Sequence, residues 1–138
     1  MKNSGFRSGI ILLAFLACDE VADPTPFVEE SYHHIRAAWS ADGLTGAFTA
    51  LGGNQGIYLV DSSGSNVRVL NPGEGIGLTW SPDSRWVGFS AAGSLYKILA
   101  TGDSLTRLTT GPTHHRPAWS PGGSLIAFRS GGLKTLNV

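Results

Sequence analysis

"PAWSPGGSLIAFRS" occupies residues 117–130, and two near-copies precede it: "AAWSADGLTGAFTA" at 37–50 and "LTWSPDSRWVGFSA" at 78–91. Aligned on tryptophan, the copies place Trp39, Trp80 and Trp119 at intervals of 41 and 39 residues. Nine residues after each tryptophan stands a phenylalanine: Phe48, Phe89 and Phe128. A period of about 40 residues is the length of one four-stranded propeller blade.

The segments around this frame read as strands. "TGAFTA", "WVGFSA" and "LIAFRS" surround the phenylalanines, and third strands follow at 57–61, 95–99 and 133–138. Fourth strands, "NVRVL" at 66–70 and "LTRLT" at 105–109, follow in the first two copies only. The expected fold class is all-β: β-propeller blades of four antiparallel strands, with about two and a half blades present and the ring incomplete. The repeats span about residues 33–74, 75–113 and 114–138. Val67 and Val69 alternate onto one face, which a lone small sheet cannot bury and a neighbouring blade must cover.

The turns carry chemistry of their own. In "WSPDS" at 80–84, Ser81 suits a local backbone bond, Pro82 presets φ, and Asp83 suits the third turn position. The following slot favours positive φ; Gly43 and Gly123 fill it, and Ser84 is expected to be slightly strained there. Asp42 and Asp83 read as turn caps, replaced by Gly122 in the third copy. "NPGEGIGLTW" at 71–80 lacks the spacing of a phosphate loop and reads as the loop between blades. Trp86 reads as core packing.

The Trp-Ser-Pro-Asp-Gly pattern and the Ile-Ala-Phe that follows resemble the TolB-like, WD-repeat-like propeller family, over roughly residues 36–138. The Gly-His and Trp-Asp marks of true WD repeats are absent. The resemblance implies a non-enzymatic binding module that acts in envelope complexes and offers its loops as a protein or glycan docking face. Complete propellers close about four to eight blades. The chain therefore reads as a fragment of a longer product, with further propeller blades as its first partner, or as a unit that self-assembles to close the ring. Two other readings stand beside this one. The repeats also look like the N-terminal propeller of a prolyl-oligopeptidase-like serine peptidase, whose hydrolase domain would carry a downstream Gly-x-Ser-x-Gly. They also suit a propeller enzyme with a histidine-lined metal site, as in some polysaccharide lyases.

Residues 1–17 have the layout of an export signal: Lys2 and Arg7, then a short apolar run, too short to span a bilayer. Phe15-Leu16-Ala17-Cys18 resembles a bacterial lipobox, which implies lipidation of Cys18, although the family usually has Leu at the first of these positions and a smaller residue at the second. The other reading is plain secretion. Residues 18–32, acidic and holding Pro24 and Pro26, read as a flexible tether ahead of a propeller at 33–138. The expected location is the bacterial cell envelope, on its periplasmic or extracellular side, with the membrane reached through a lipid anchor at Cys18.

Ten basic and ten acidic side chains balance to zero, and the seven arginines are scattered along the sequence. That excludes the basic stripe that nucleic acid requires. No cofactor motif is present, and one cysteine cannot form an internal disulfide. The histidines come as pairs, His33-His34 and His114-His115. His34 and His114 both stand five residues before a tryptophan, so they are candidates for one rim of the propeller as ligands. No carboxylate or cysteine accompanies them at ligand spacing, and solvent-exposed loop histidines are the alternative.

Overall fold

In the first blade, β1 (Ala37–Trp39), β2 (Thr45–Ala50), β3 (Gly56–Asp61) and β4 (Arg68–Pro72) pair in sequence order as an antiparallel sheet. The computed structural model describes residues 36–111 and 113–138; the segments read as export signal, lipobox with Cys18 and tether, and His33-His34, lie outside them. A second four-stranded sheet follows with the same order: β5 (Ile76–Trp80), β6 (Trp86–Ala91), β7 (Ser94–Leu99) and β8 (Thr106–Arg107). The third sheet holds β9 (His115–Trp119), β10 (Leu125–Arg129) and β11 (Leu133–Asn137). The described residues contain strands and turns and no helix, so the all-β propeller-blade reading holds.

The second and third blades each bury one face on the blade before. Ala47, Ile57, Leu59 and Leu70 of the first blade share a core with Trp80, Val87, Phe89 and Ile98 of the second. Leu95 of the second blade meets Ile126 and Phe128 of the third, flanked by Trp119 and Leu136. In β6 and β10 the residue before the phenylalanine points the other way and is small. A Cβ added to Gly88 would stand 2.9 Å from Thr79 Cγ2 of the neighbouring strand, so that strand leaves no room for one, and the Trp119 ring of the next blade lies over the same spot at 3.6 Å. Phe48 stacks on its cross-strand partner Tyr58 (centroids 5.5 Å apart), and Phe89 on Tyr96 (5.6 Å). In the third blade the partner of Phe128 is Lys134, and His114 packs edge-on against Phe128 instead.

The turn after each first strand repeats in atomic detail. Gly43, Ser84 and Gly123 donate N–H to the carbonyls of Ser40, Ser81 and Ser120, and φ at the three is 73°, 58° and 78°. Ser84 is thus held in the left-handed region that favours glycine, as expected from its place in the repeat. The serine hydroxyls of Ser40, Ser81 and Ser120 accept the N–H of Thr45, Trp86 and Leu125 at 2.9, 2.9 and 3.1 Å.

The fourth strands depart from the sequence reading. β4 begins two residues later than "NVRVL", because Asp61 gathers the N–H groups of Ser63 and Ser65 and the Asn66 amide into a longer turn. A bulge then lies at Leu70, since Ile57 faces Asn71 while Tyr58 faces Val69. It turns Leu70 into the core and leaves Val69 51% exposed, so the expectation that Val67 and Val69 form the buried face is corrected. β8 shrinks to two residues because the Thr109 hydroxyl accepts Leu95 N–H and Arg107 reaches Ser94 Oγ and Thr109 O. The stretch at 71–80 is mostly strand: only residues 73–75 connect β4 to β5.

Candidate functional site

The three first strands β1, β5 and β9 lie side by side, and their starting ends differ from regular ladder. Between Ile76↔Ser90 and Thr79↔Gly88, β5 advances three residues while β6 advances two. β9 does the same between His115↔Arg129 and Ala118↔Ala127. The extra residues sit at 77–78 and at 116–117, a bulge in the same place in two blades. The left-handed residue is Gly77 (φ 66°) in one and Arg116 (φ 55°) in the other. A Cβ on Gly77 would stand 3.4 Å from Arg116 Cα and 3.4 Å from Pro117 Cδ. The third blade's strand thus lies within van der Waals reach of this glycine, whose positive φ is what favours it here.

A cleft of about 590 Å³ opens where these ends meet, lined by Arg36, Gly77, Thr113, His115, Arg116 and Arg129 among others. Arg36 precedes β1, and Arg129 is the cross-strand partner of His115. The three arginines come from the first and third blades, on either side of the glycine of the second. A pocket of this size is in the range that holds small ligands or a peptide side-chain cluster, about 300–1,000 Å³. No Asp or Glu is among its lining residues.

No family model matches the chain. Solved structures do. A TolB-type protein from Agrobacterium tumefaciens superposes with TM-score 0.67 at 24% identity, over 73% of this chain and 41% of its own. TolB from Acinetobacter baumannii gives TM-score 0.61 at 23% identity, over 75% of this chain and 29% of its own. The fold is that of a TolB-type β-propeller. The chain spans less than half the length of either protein. Hydrazine synthase of Kuenenia stuttgartiensis also superposes, with TM-score 0.63 at 13% identity, over 79% of this chain and 46% of its own. Blades of this kind thus occur in an enzyme as well.

In this TolB-type frame the histidine pair at 114–115 is divided. His114 N–H donates to Gly93 O at 2.8 Å, its half-buried ring lies 5.1 Å from Phe128, and its Nδ1 is buried with no partner among the described residues. A Cβ on Gly111 would come within 2.8 Å of its Cε1. His114 is therefore packed in, neither free in a loop nor facing the cleft. His115 lines the cleft beside Arg116. Among the described residues no group of three or more His, Cys, Asp or Glu side chains is placed to hold a metal ion.

The recurrent aromatics divide as well. Trp80 and Phe89 are buried at 8% and 2% exposure and Phe128 at 6%, Trp119 is half-buried, and Trp39 is 59% exposed. Trp86 is half-buried with Lys97 Nζ 4.8 Å above its ring, beside a smaller cleft at the opposite end of the blades.

The aspartates belong to the turns. Ser40 Oγ donates to Asp42 Oδ1 at 2.6 Å, and Ser81 Oγ to Asp83 Oδ1 at 2.5 Å. These hydroxyls, with backbone N–H groups, hold both carboxyls below the ordinary value; Ser63 and Asn66 bring Asp61 down to about 2. Such carboxylates are ionised structural acceptors, unsuited to proton transfer at neutral pH.

Sequence reading passed over the arginines because it weighed their scatter. The same count that paired the histidines finds two of them: three residues before each tryptophan stand Arg36, Gly77 and Arg116. Arg129 carries no such mark, and only the ladder brings it opposite His115.

Proposed function

We propose that the chain is part of an exported, lipid-tethered TolB-type propeller of the bacterial envelope, a non-enzymatic binding module whose blade-end loops dock a protein or glycan. The cleft formed by the starting ends of β1, β5 and β9 carries this reading: it is a concave site whose volume falls in the range of ligand-binding clefts. The TolB-type fold supports the envelope location, and Cys18 after its apolar run supports the tether. Further blades, from the same product or from other copies, cover the face that bears Trp39. The 59% exposure of that residue supports them.

Radiolabelled palmitate and cell fractionation test this. The full chain expressed in a bacterium is expected in the membrane fraction with label, and Cys18→Ser is expected to lose both. Unlabelled chain in the cytoplasm overturns export and tether. Cleavage of a proline-containing peptide by the purified chain, absent from a mock preparation, overturns the non-enzymatic reading.

A further inference from the structure

We infer that the cleft at the starting ends of β1, β5 and β9 is a binding site for a multiply charged oxyanion, held by Arg36, Arg116 and Arg129. Three of the seven arginines converge on one concavity from positions 36, 116 and 129. Among the described residues none of their guanidinium groups makes an ion pair or a hydrogen bond, although Arg68 and Arg107 elsewhere bond to backbone or side-chain oxygens. No described acid lines the cleft, so among the described residues the three like charges repel one another across it. An oxyanion in the cleft relieves that repulsion. Guanidinium forks match the two oxygens of a carboxylate or a phosphate, and Thr113 and His115 add polar groups beside them.

The backbone at Arg116 supports the same site. This residue stands at φ 55° in a bulge whose counterpart in the preceding blade is Gly77. Glycine would serve the backbone better at this position, so the long cationic side chain stands there at a conformational cost. Gly77 also lacks a side chain between the arginines of the flanking blades, which leaves the cleft open to them.

The inference shares its cleft with the docking-face reading and names the chemistry of the occupant. A chain that is exported and lipid-tethered yet inert to anions would sink this inference alone. Calorimetric titration of the full chain with inorganic phosphate, citrate and hexaglutamate, with hexaglutamine as the neutral control, tests it. Saturable one-site binding of at least one anion is expected, weakening between 50 and 200 mM salt as about three charge contacts would. Arg116→Gly and Arg129→Ala are each expected to weaken it about tenfold. Arg116→Gly is also expected to raise the melting temperature slightly, which separates lost binding from lost folding. The preferred anion assigns the source: phosphate a phosphorylated ligand, citrate a small polycarboxylate, hexaglutamate an acidic peptide. No saturable binding to any of the three overturns the inference. So does equal weakening by Arg85→Ala, on the turn at the other end of the blades.

Discussion

Trp39 and Trp80 occupy the same place in successive copies of one repeat, yet one is 59% exposed and the other 8%. The Trp80 indole N–H donates to Ala38 O of the first blade at 2.9 Å, and its ring shares a core with Ala47, Leu59 and Leu70. Trp39 has its own blade's Gly46 beneath the ring and no described blade in front of it. Identical repeat positions thus acquire different energetics from their neighbours. In a stacked architecture a residue's contribution belongs largely to the interface between units.

Substitution at the two tryptophans breaks this comparison most directly. Trp80→Ala empties an interblade core and removes the bond to Ala38, and is expected to cost about 3–5 kcal/mol in urea unfolding. Trp39→Ala is expected to cost less than about 1 kcal/mol where the first blade's face is bare. A cost at Trp39 approaching that at Trp80 would show that another blade or copy covers the face. Raising the protein concentration then separates a second copy, whose effect grows, from blades of the same product, whose effect does not.

A tighter test lies at the junction of the same two blades. Thr49 Oγ1 donates to Gly75 O at 2.6 Å in a buried site. A Cβ on Gly75 would stand 2.4 Å from Ile57 Cδ1 and 3.2 Å from Phe89 Cδ2, one from each blade. Gly75→Ala is expected to cost about 1–3 kcal/mol by overpacking, read as a lower urea midpoint. Gly73→Ala, two residues away, meets open space but stands at φ 97°, so its cost is expected from backbone strain alone. An unchanged urea midpoint for Gly75→Ala would argue against close packing of the blades there.

The blade architecture was legible because its signal repeats: Trp39, Trp80 and Trp119 fix the register, and the phenylalanines fix the second strands. The fourth strands were less so. The bulge at Leu70 reverses an alternation that Val67 and Val69 suggest, and a bulge leaves no local mark when its residue is an ordinary leucine. At the cleft, residues that touch one cavity come from positions 36 to 131, and charge scattered in sequence says nothing about charge gathered in space. His114 misleads for a related reason. Its spacing from Trp119 is equivalent to that of His34 from Trp39, but Phe128 and Gly111 enclose its ring.

The finest distinction between the copies is Ser84, where the flanking blades have Gly43 and Gly123. Its φ of 58° is strained for serine, yet its hydroxyl accepts the N–H of Asp42 from the first blade at 3.1 Å. Two effects of opposite sign meet on one side chain. Glycine relieves the strain and loses the bond, and each is worth about 1 kcal/mol. Ser84→Gly is therefore expected to leave stability within about 0.5 kcal/mol of the parent. Ser84→Ala keeps the strain and loses the bond, and is expected to cost about 1 kcal/mol. Equal stability of the two variants would mean that strain at this turn is negligible. A marked gain from glycine would mean that the bond between the turns contributes nothing, and that the first two blades are held by their shared core and by the bonds of Trp80 and Thr49.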